Sequence, residues 1–176
     1  MFRFDENMIA SLHTPRLRLL PLTFSQLQLC RTDLPVLEAE LGLSISRDVL
    51  TERVFRAIQM KTKRMAGTDE IRHAWLTYWL IIVNDNNFGA GLAGFKSYPD
   101  ENSATEIGYG IDPTYQNKGY MSEAVKALVD WALGHPFCKV VTATTVENPA
   151  SRRLLEKLGA RLVVEDDTSS SWEFRK

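Results

Sequence analysis

Hydrophobic and polar residues alternate with a period of two in several short stretches, which is the spacing of a β-strand with one solvated face. Basic and apolar residues alternate in this way over residues 14–20. Residues 74–83 are rich in aromatic and β-branched side chains and predict a second strand, with turn residues directly after it. Residues 92–97 and 105–111 predict two further strands, and each is followed by a proline-containing segment that ends it.

Longer stretches place their hydrophobic residues at helical spacing. A short helix is expected from residue 25, and a longer one over residues 46–65. The strongest amphipathic pattern covers residues 120–133 and ends at glycine and proline stop signals. Residues 149–158 predict a fourth helix, because a proline stands at its first position and a glycine follows its end.

The remaining patterns complete a mixed α/β fold. Residues 140–145 predict a short β-branched strand, and residues 161–165 and 171–174 predict a closing hairpin around an Asp-Asp turn. The elements then follow in the order βαα-βββ-α-β-α-ββ. Because the chain has 176 residues and no linker-like stretch, we expect a single domain over residues 1–176.

The composition narrows the class of protein. A formal net charge of −1 argues against non-specific binding to nucleic acid or anionic membranes. Cys30 and Cys138 lie far apart without metal-ligand spacing, so we expect reduced core thiols and no metal. The chain starts without an apolar run of signal-peptide length, and no stretch reaches the roughly 20 residues of a membrane span. We therefore expect a cytoplasmic protein.

The segment FGAGLAGF, residues 88–95, contains the letters G-x-G-x-x-G of a dinucleotide-binding turn. That turn binds pyrophosphate only when its glycines join a strand directly to a helix. Here the chain reaches Tyr98-Pro99 shortly after Gly94, which leaves no room for such a helix. We therefore interpret the glycines as strand, hairpin and bulge residues, and expect no nicotinamide or flavin at this segment.

A better anion site is predicted where residues 115–121 lead from a strand into the strongest helix. The first N–H groups of a helix have no partner within it, so they can converge on an anion. Gly119 gives the backbone freedom for close approach, and Lys118 adds positive charge. Many turns of this kind bind nothing, so the pattern alone leaves a purely structural role open.

Asn148 ends the strand that follows this helix and directly precedes Pro149. One interpretation is a helix cap, since asparagine is favoured at that position and proline at the next. The other is a ligand contact, because its side-chain amide can face the same crevice as residues 115–121. Both interpretations are compatible with the sequence.

Residues 105–132, TEIGYGIDPTYQNKGYMSEAVKALVDWA, and residues 140–160, VVTATTVENPASRRLLEKLGA, carry a specific pairing of motifs. Together they closely resemble the Gcn5-related N-acetyltransferase (GNAT) superfamily, and within it the RimJ/RimL-type branch. The opening TPRLRLLPLT is similar to that branch's first strand, so the resemblance covers most of the chain. It implies a mostly antiparallel sheet with splayed strands and flanking helices, and an enzyme that moves an acetyl group from acetyl-CoA to a primary amine.

The resemblance also implies an acetyl-CoA site. The pantetheine arm would run between the strand that ends at Ile111 and the strand that begins at Val140. The main-chain N–H near Ile111 would polarise the acetyl carbonyl. Asn148 would bind the arm, and Ser151 would lie near the thioester sulfur. The pyrophosphate would lie on the backbone amides of Gln116, Asn117, Lys118, Gly119, Tyr120 and Met121, with Ser122 near the helix start.

Two positions depart from the family pattern. Met121 stands where the family often has a small residue, which is a mild change because binding there uses backbone amides. Leu155 stands where many members place a tyrosine that protonates the leaving thiolate, although its absence fits the RimJ/RimL-type branch. These departures leave open an alternative, a non-catalytic domain that binds CoA and serves as a sensor or partner.

Direct attack on the thioester requires a neutral amine. At pH 7.4 about a quarter of an α-amino group is neutral, against about 0.1% of a lysine-like amine, so a general base matters more for lysine. Glu106 is the candidate base, directly or through a water, with a solvated strand carboxylate as the alternative. Ser151 could stabilise the leaving thiolate by a hydrogen bond. Peptide α-amines, polyamines, amino acids and aminoglycosides all remain open as acceptors, and a monomer and a homodimer are equally open.

Overall fold

A computed structural model describes residues 10–176 of the chain. The first nine residues, at which the sequence predicts no signal peptide, lie outside the described residues. The strands are β1 Leu12–His13, β2 Leu17–Pro21, β3 Ser44–Ile45, β4 Trp79–Val83, β5 Phe88–Phe95, β6 Ala104–Ile111, β7 Val140–Val146, β8 Arg161–Glu165 and β9 Ser169–Arg175. The helices are α1 Phe24–Thr32, α2 Leu34–Leu41, α3 Glu52–Met65, α4 His73–Leu76, α5 Tyr120–Gly134 and α6 Pro149–Lys157.

Within residues 10–176 the strands form one nine-stranded sheet in the order β1-β2-β4-β5-β6-β7-β9-β8, with β3 added beside β5. The pairs β6–β7 and β3–β5 are parallel, and the other neighbours are antiparallel. This topology confirms the mixed, mostly antiparallel sheet with flanking helices that the sequence predicts.

The sheet separates two hydrophobic cores. On one face α5 and α6 pack against strand residues such as Leu17, Trp79 and Ile107. On the other face α1, α2 and α3 pack against residues such as Leu80 and Leu92. Because side chains alternate between the faces of a strand, each strand contributes to the core of one helical layer at every second residue.

The segment FGAGLAGF forms the whole of β5, and nearly all of it is buried. A Cβ on Gly91 would lie 2.7 Å from the Gly110 carbonyl oxygen, so only glycine fits that close approach between strands. The register between β4 and β5 shifts once, which leaves Ala90 as the extra residue of a β-bulge. The strand and bulge interpretation is confirmed, although the strand begins at Phe88 rather than at residue 92.

The strand predicted over residues 74–83 is wrong in its first part. Residues 74–76 belong to the short helix α4, and β4 begins only at Trp79. The Trp79 indole donates a hydrogen bond to the Ala74 carbonyl oxygen at 2.9 Å, which ties this helical turn to the strand. All of the run except the half-buried Tyr78 is buried, and a buried run has no periodicity that separates a helical turn from a strand.

The helix predicted over residues 46–65 is wrong in its first turn, because α3 begins only after its cap, Thr51. Ser46 lies in the preceding loop, where its hydroxyl donates to the Asp112 carboxylate at 2.6 Å. The sequence analysis also missed the two-residue strands β1 and β3 and the helix α2. Two residues of the sequence favour that helix: an aspartate at its N-cap and a glycine directly after its end. In the structure that glycine has a φ of +66°.

Lys61 of α3 is buried, and its ammonium joins three backbone segments. It donates to the carbonyl oxygens of Phe95 at 2.7 Å, Leu76 at 3.2 Å and Thr77 at 3.2 Å. Burial, together with the charge of Arg64, lowers the pKa of Lys61 from 10.5 to about 7. Between these two pH values the unfolded chain binds more protons than the folded one, so stability rises with pH there.

We expect Lys61→Met to remove this pH dependence. Lys61 should raise the free energy of unfolding by up to about 1.4 kcal/mol per pH unit between its folded and unfolded pKa values, and the variant should lack that contribution. Urea unfolding at a series of pH values above 7 measures both slopes. Lys63→Met, at an exposed position of the same helix, is the control and should keep the wild-type slope. Equal slopes for wild type and Lys61→Met would contradict the lowered pKa.

Candidate active site

The neighbouring strands β6 and β7 part in the middle of the sheet. Their parallel pairing covers only the first residues of each strand and ends where Glu106 lies beside Thr142. Beyond that point β6 runs on to Ile111 and β7 to Val146 without pairing to each other. The backbone N–H and C=O groups that face this gap have no partner in a neighbouring strand, so the gap is an open strand edge.

The backbone of β6 presents its groups to the gap at alternate residues. The backbone amide of Lys96 donates to the Glu106 carbonyl oxygen, and the backbone amide of Asp112 donates to the Ala90 carbonyl oxygen, both at 2.8 Å. Glu106 and Asp112 therefore direct their backbone groups toward β5. In an antiparallel pair the residues between those positions point their N–H and C=O groups the other way. The amide of Ile111 therefore faces the gap, as required for the predicted polarisation of an acetyl carbonyl.

Helix α5 begins at the mouth of the gap with an uncapped N-terminus. Gly119 is its N-cap residue with a φ of +81°, and no side chain among the described residues caps it. Asn117 also has a positive φ, 59°, so the loop turns sharply just before the helix. The amides of Tyr120, Met121 and Ser122 are left without partners in the helix and can converge on an anion.

Arg16 braces this loop from the start of β2. Its guanidinium donates to the Lys118 carbonyl oxygen at 2.8 Å and to the Glu123 carboxylate at 2.7 Å, and it lies 4.6 Å from the centre of the Tyr120 ring. Burial raises the pKa of Glu123, but hydrogen bonds from Thr14 and Arg16 outweigh it and leave that pKa below its ordinary value. The Glu123 carboxylate therefore stays ionised, and its ion pair with Arg16 offsets its charge in the first turn of α5, which limits its effect on the positive potential at the helix N-terminus.

A cavity of about 470 Å³ joins the unpaired end of β6 to the start of α5 and to α6. It contains nine of the ten residues that the resemblance assigns to the cofactor. These are Ile111, Gln116, Asn117, Gly119, Tyr120, Met121, Ser122, Asn148 and Ser151. Lys118 does not line it: its ammonium lies 5.3 Å from the centre of the Tyr115 ring.

Asn148 is compatible with both roles that the sequence leaves open, a helix cap and a ligand contact. Its side-chain oxygen accepts a hydrogen bond from the Ser151 amide at 3.0 Å, so it is the N-cap of α6. It also lines the cavity. The Ser151 hydroxyl lies 2.7 Å from the hydroxyl of Tyr109, a cavity residue of β6. Burial raises the pKa of Tyr109, and the Ser151 hydrogen bond offsets part of that increase.

The sequence analysis missed several residues of the cavity wall. Tyr109 is one, and its signal is the period-two spacing that puts it on the same face of β6 as Ile111. Arg153 and Lys157 are two others, both on α6. Their i, i+4 spacing places these two cations on one side of the helix, facing the cavity.

Two predicted features lie away from the cavity. Glu106 does not line it; its side chain points to the opposite face of the sheet from Ile107, and its carboxylate pairs with Lys96 at 2.6 Å. On that same face a Cβ on Gly108 or Gly110 would touch nothing within 4 Å, so the surface beside Glu106 is bare. Leu155 is fully buried in the core beneath α6 and presents nothing to the cavity.

Other kinds of site find little support in residues 10–176. No group of three or more His, Cys, Asp or Glu side chains in this range could hold a metal ion. No helix of the described chain is long and apolar enough to cross a membrane. Cys30 and Cys138 are buried, and burial raises the pKa of Cys30 to about 12 and that of Cys138 by less, so both behave as core thiols.

The sequence of this chain matches a known protein family and a curated relative. A family model described as an acetyltransferase (GNAT) domain matches residues 28–161. The uncharacterized N-acetyltransferase YjdG of Bacillus subtilis (strain 168) is 36% identical over 106 residues, which cover 60% of this chain and 58% of YjdG. The chain therefore matches little more than half the length of this curated relative.

Solved structures of low identity share the fold. The ribosomal-protein-S5-alanine acetyltransferase from Vibrio fischeri has a TM-score of 0.67 at 15% identity, covering 94% of this chain and 96% of that one. RimL, a ribosomal L7/L12 alpha-N-protein acetyltransferase in complex with coenzyme A, has a TM-score of 0.65 at 18% identity, covering 94% and 98%. The family match extends over most of the sheet and both cavity helices, and on that ground the chain belongs to the GNAT acetyltransferase family.

Proposed function

We propose that this protein is an acetyl-CoA-dependent N-acetyltransferase whose acceptor is a primary amine, on a protein or peptide N-terminus or on a small molecule. One observation carries the proposal: the unpaired end of β6, the uncapped start of α5 and the Ser151 hydroxyl all line the same cavity. An extended chain with amide groups can pair with an open strand edge. The pantetheine arm of acetyl-CoA is such a chain, and membership of the family supports the same reaction.

The cavity wall offers groups suited to the phosphates and to the pantetheine arm of acetyl-CoA. The pyrophosphate would lie on the free amides of Tyr120, Met121 and Ser122, where the helix dipole favours an anion. Arg153 and Lys157, on the α6 wall of the cavity, would supply positive charge for the third phosphate of acetyl-CoA, which is not part of the pyrophosphate. The pantetheine amides would pair with the β6 backbone in the gap, with Asn148 at its far side. The structure of RimL, a neighbour in fold, holds coenzyme A, which supports CoA as the kind of ligand bound here.

In the proposed reaction the amine nitrogen attacks the thioester carbonyl directly. A C–N bond forms, the C–S bond breaks, and its electron pair goes to the sulfur. The Ile111 amide would donate to the carbonyl oxygen as negative charge develops there. The nitrogen loses one proton to Glu106, directly or through a water, and the released CoA leaves as the thiol after taking up a proton.

The acceptor would approach from the face that carries Glu106. That face is bare at Gly108 and Gly110, so an amine could reach the gap beside the carboxylate. An α-amine suits the site better than a lysine amine, because about a quarter of it is already neutral at pH 7.4. RimL, a structural neighbour of this chain, is described as an alpha-N-protein acetyltransferase, which favours the same class.

An acceptor screen tests the proposed function. The protein is mixed with acetyl-CoA and separately with peptides, amino acids, polyamines and aminoglycosides, and release of free CoA is followed together with the mass of the product. We expect acetylation of at least one amine, with α-amines reacting faster than lysine amines at pH 7.4. Reactions without acceptor are the control. Binding of CoA by calorimetry without transfer to any amine would instead support a non-catalytic CoA-binding domain.

Glu106→Gln tests the candidate base. We expect a loss of kcat that is largest at low pH, because there the acceptor is mostly protonated and depends on the base. The measurement is a pH–rate profile with saturating acetyl-CoA. Glu101→Gln, an exposed carboxylate in the turn before β6, is the matched control and should leave the profile unchanged. A Glu106→Gln profile identical to wild type would reject the role.

Gly119→Ala tests the anion site at α5. A Cβ there would meet the Arg16 guanidinium at 3.2 Å and would strain a backbone with a φ of +81°. We expect the Kd for CoA to rise about tenfold, since the amides of the first turn would shift by tenths of an ångström. Isothermal titration calorimetry measures it. Gly42→Ala carries similar backbone strain at the end of α2, outside the cavity, and should destabilise the fold without changing the Kd. Equal affinities for both variants would mean that the phosphate site lies elsewhere.

A further inference from the structure

Tyr109 forms the one hydroxyl pair that the structure places inside the cavity. It projects from β6 across the cavity to α6, and its phenol oxygen lies 2.7 Å from the Ser151 hydroxyl oxygen. Among the described residues neither hydroxyl has another hydrogen-bond partner. Both residues line the cavity, so the pair sits at the surface that a bound thioester would meet.

The number of protons in this pair has a chemical consequence. Two hydroxyls carry two protons, and the hydrogen bond between them uses only one. Whichever oxygen donates in that bond, the other hydroxyl proton is left for a third group. Since the pair faces the cavity, that third group is a ligand atom or water.

No second donor takes this place on α6. Leu155, where many family members place a tyrosine, is fully buried and apolar. Because burial raises the pKa of the Tyr109 phenol, the pair keeps both protons at neutral pH. Tyr109 thus brings a phenol to the cavity from the opposite wall, on a strand instead of a helix.

We propose that Tyr109 is a positioning residue for the leaving group: it donates to Ser151 and thereby turns the Ser151 hydroxyl proton toward the departing sulfur. The inference rests on the proposed function. As the C–N bond forms and the C–S bond breaks, the electron pair on sulfur receives the Ser151 hydrogen bond. The amine proton passes to the base and the thiolate later takes up a proton from solvent, so neither Tyr109 nor Ser151 is consumed.

Tyr109→Phe tests the inference because it removes one oxygen and keeps the ring. We expect kcat to fall about tenfold, because without Tyr109 the Ser151 hydroxyl is no longer held in position to donate to the charged sulfur, while KM for acetyl-CoA changes less than about twofold. Ser151→Ala should give a similar loss, and the double variant should lose little more than either single one, because the two groups act in series. Additive losses would overturn the inference.

A second readout needs no acceptor. The thiol of CoA bound to the protein is titrated by thiolate absorbance in the ultraviolet, with the apoprotein subtracted. In the wild type we expect a pKa below that of free CoA, and Tyr109→Phe should raise it by about one pH unit. Tyr98→Phe, in the aromatic cluster with Trp75 and Phe137 away from the cavity, is the matched control and should match wild type.

The outcomes separate this inference from the function on which it rests. Wild-type protein that fails to bind CoA would overturn the proposed function, and the inference with it. Normal CoA binding with the same thiol pKa in wild type, Tyr109→Phe and Ser151→Ala would overturn the inference alone. If Tyr109→Phe does not fold, Ser151→Ala removes the other partner of the same hydrogen bond. Ser151 is a half-buried residue in the first turn of α6, where a change to alanine is better tolerated.

Discussion

The candidate site is organised around a gap in the sheet, where β6 and β7 stop pairing with each other. The two strands start as a parallel pair and then part after Glu106. The backbone N–H and C=O groups of the separated edges cannot pair with each other, and a ligand that covers them must supply hydrogen bonds, because burying them unpaired is costly. An extended ligand with amide groups can supply the missing partners. In the proposed function, this open edge would recognise the backbone-like amides of the pantetheine arm.

The gap can persist because each edge strand is held on its other side. Strand β6 pairs with β5 along most of its length, and β7 pairs with β9 from end to end. Helices α5 and α6 share one core with both halves of the sheet, and Leu155 anchors α6 there. Arg16 then fixes the loop before α5 to the start of β2. These contacts hold the proposed anion site, the strand gap and the hydroxyl pair together in one frame.

Much of this frame could be predicted from the sequence, because its parts are local. The glycine before α5, the Asn-Pro cap of α6 and the strand that ends at Ile111 all have short-range signals, and nine of the ten predicted cofactor residues line one cavity. The features that could not be predicted from the sequence are contacts between segments that lie far apart in the chain. The Tyr109–Ser151 bond joins residues 42 positions apart, and Arg16 meets Lys118 across 102 positions. The prediction for residues 74–76 was wrong for another reason: a short buried apolar run has the same hydrophobic pattern in a helix and in a strand.

A structure of the protein with acetyl-CoA bound tests the central claim most directly. The pantetheine arm should lie between β6 and β7 and pair with the β6 backbone, and the acetyl oxygen should lie about 3 Å from the Ile111 amide nitrogen. The pyrophosphate should lie on the amides at the start of α5. Acetyl-CoA bound outside the gap, with β6 and β7 still unpaired beside it, would contradict the account.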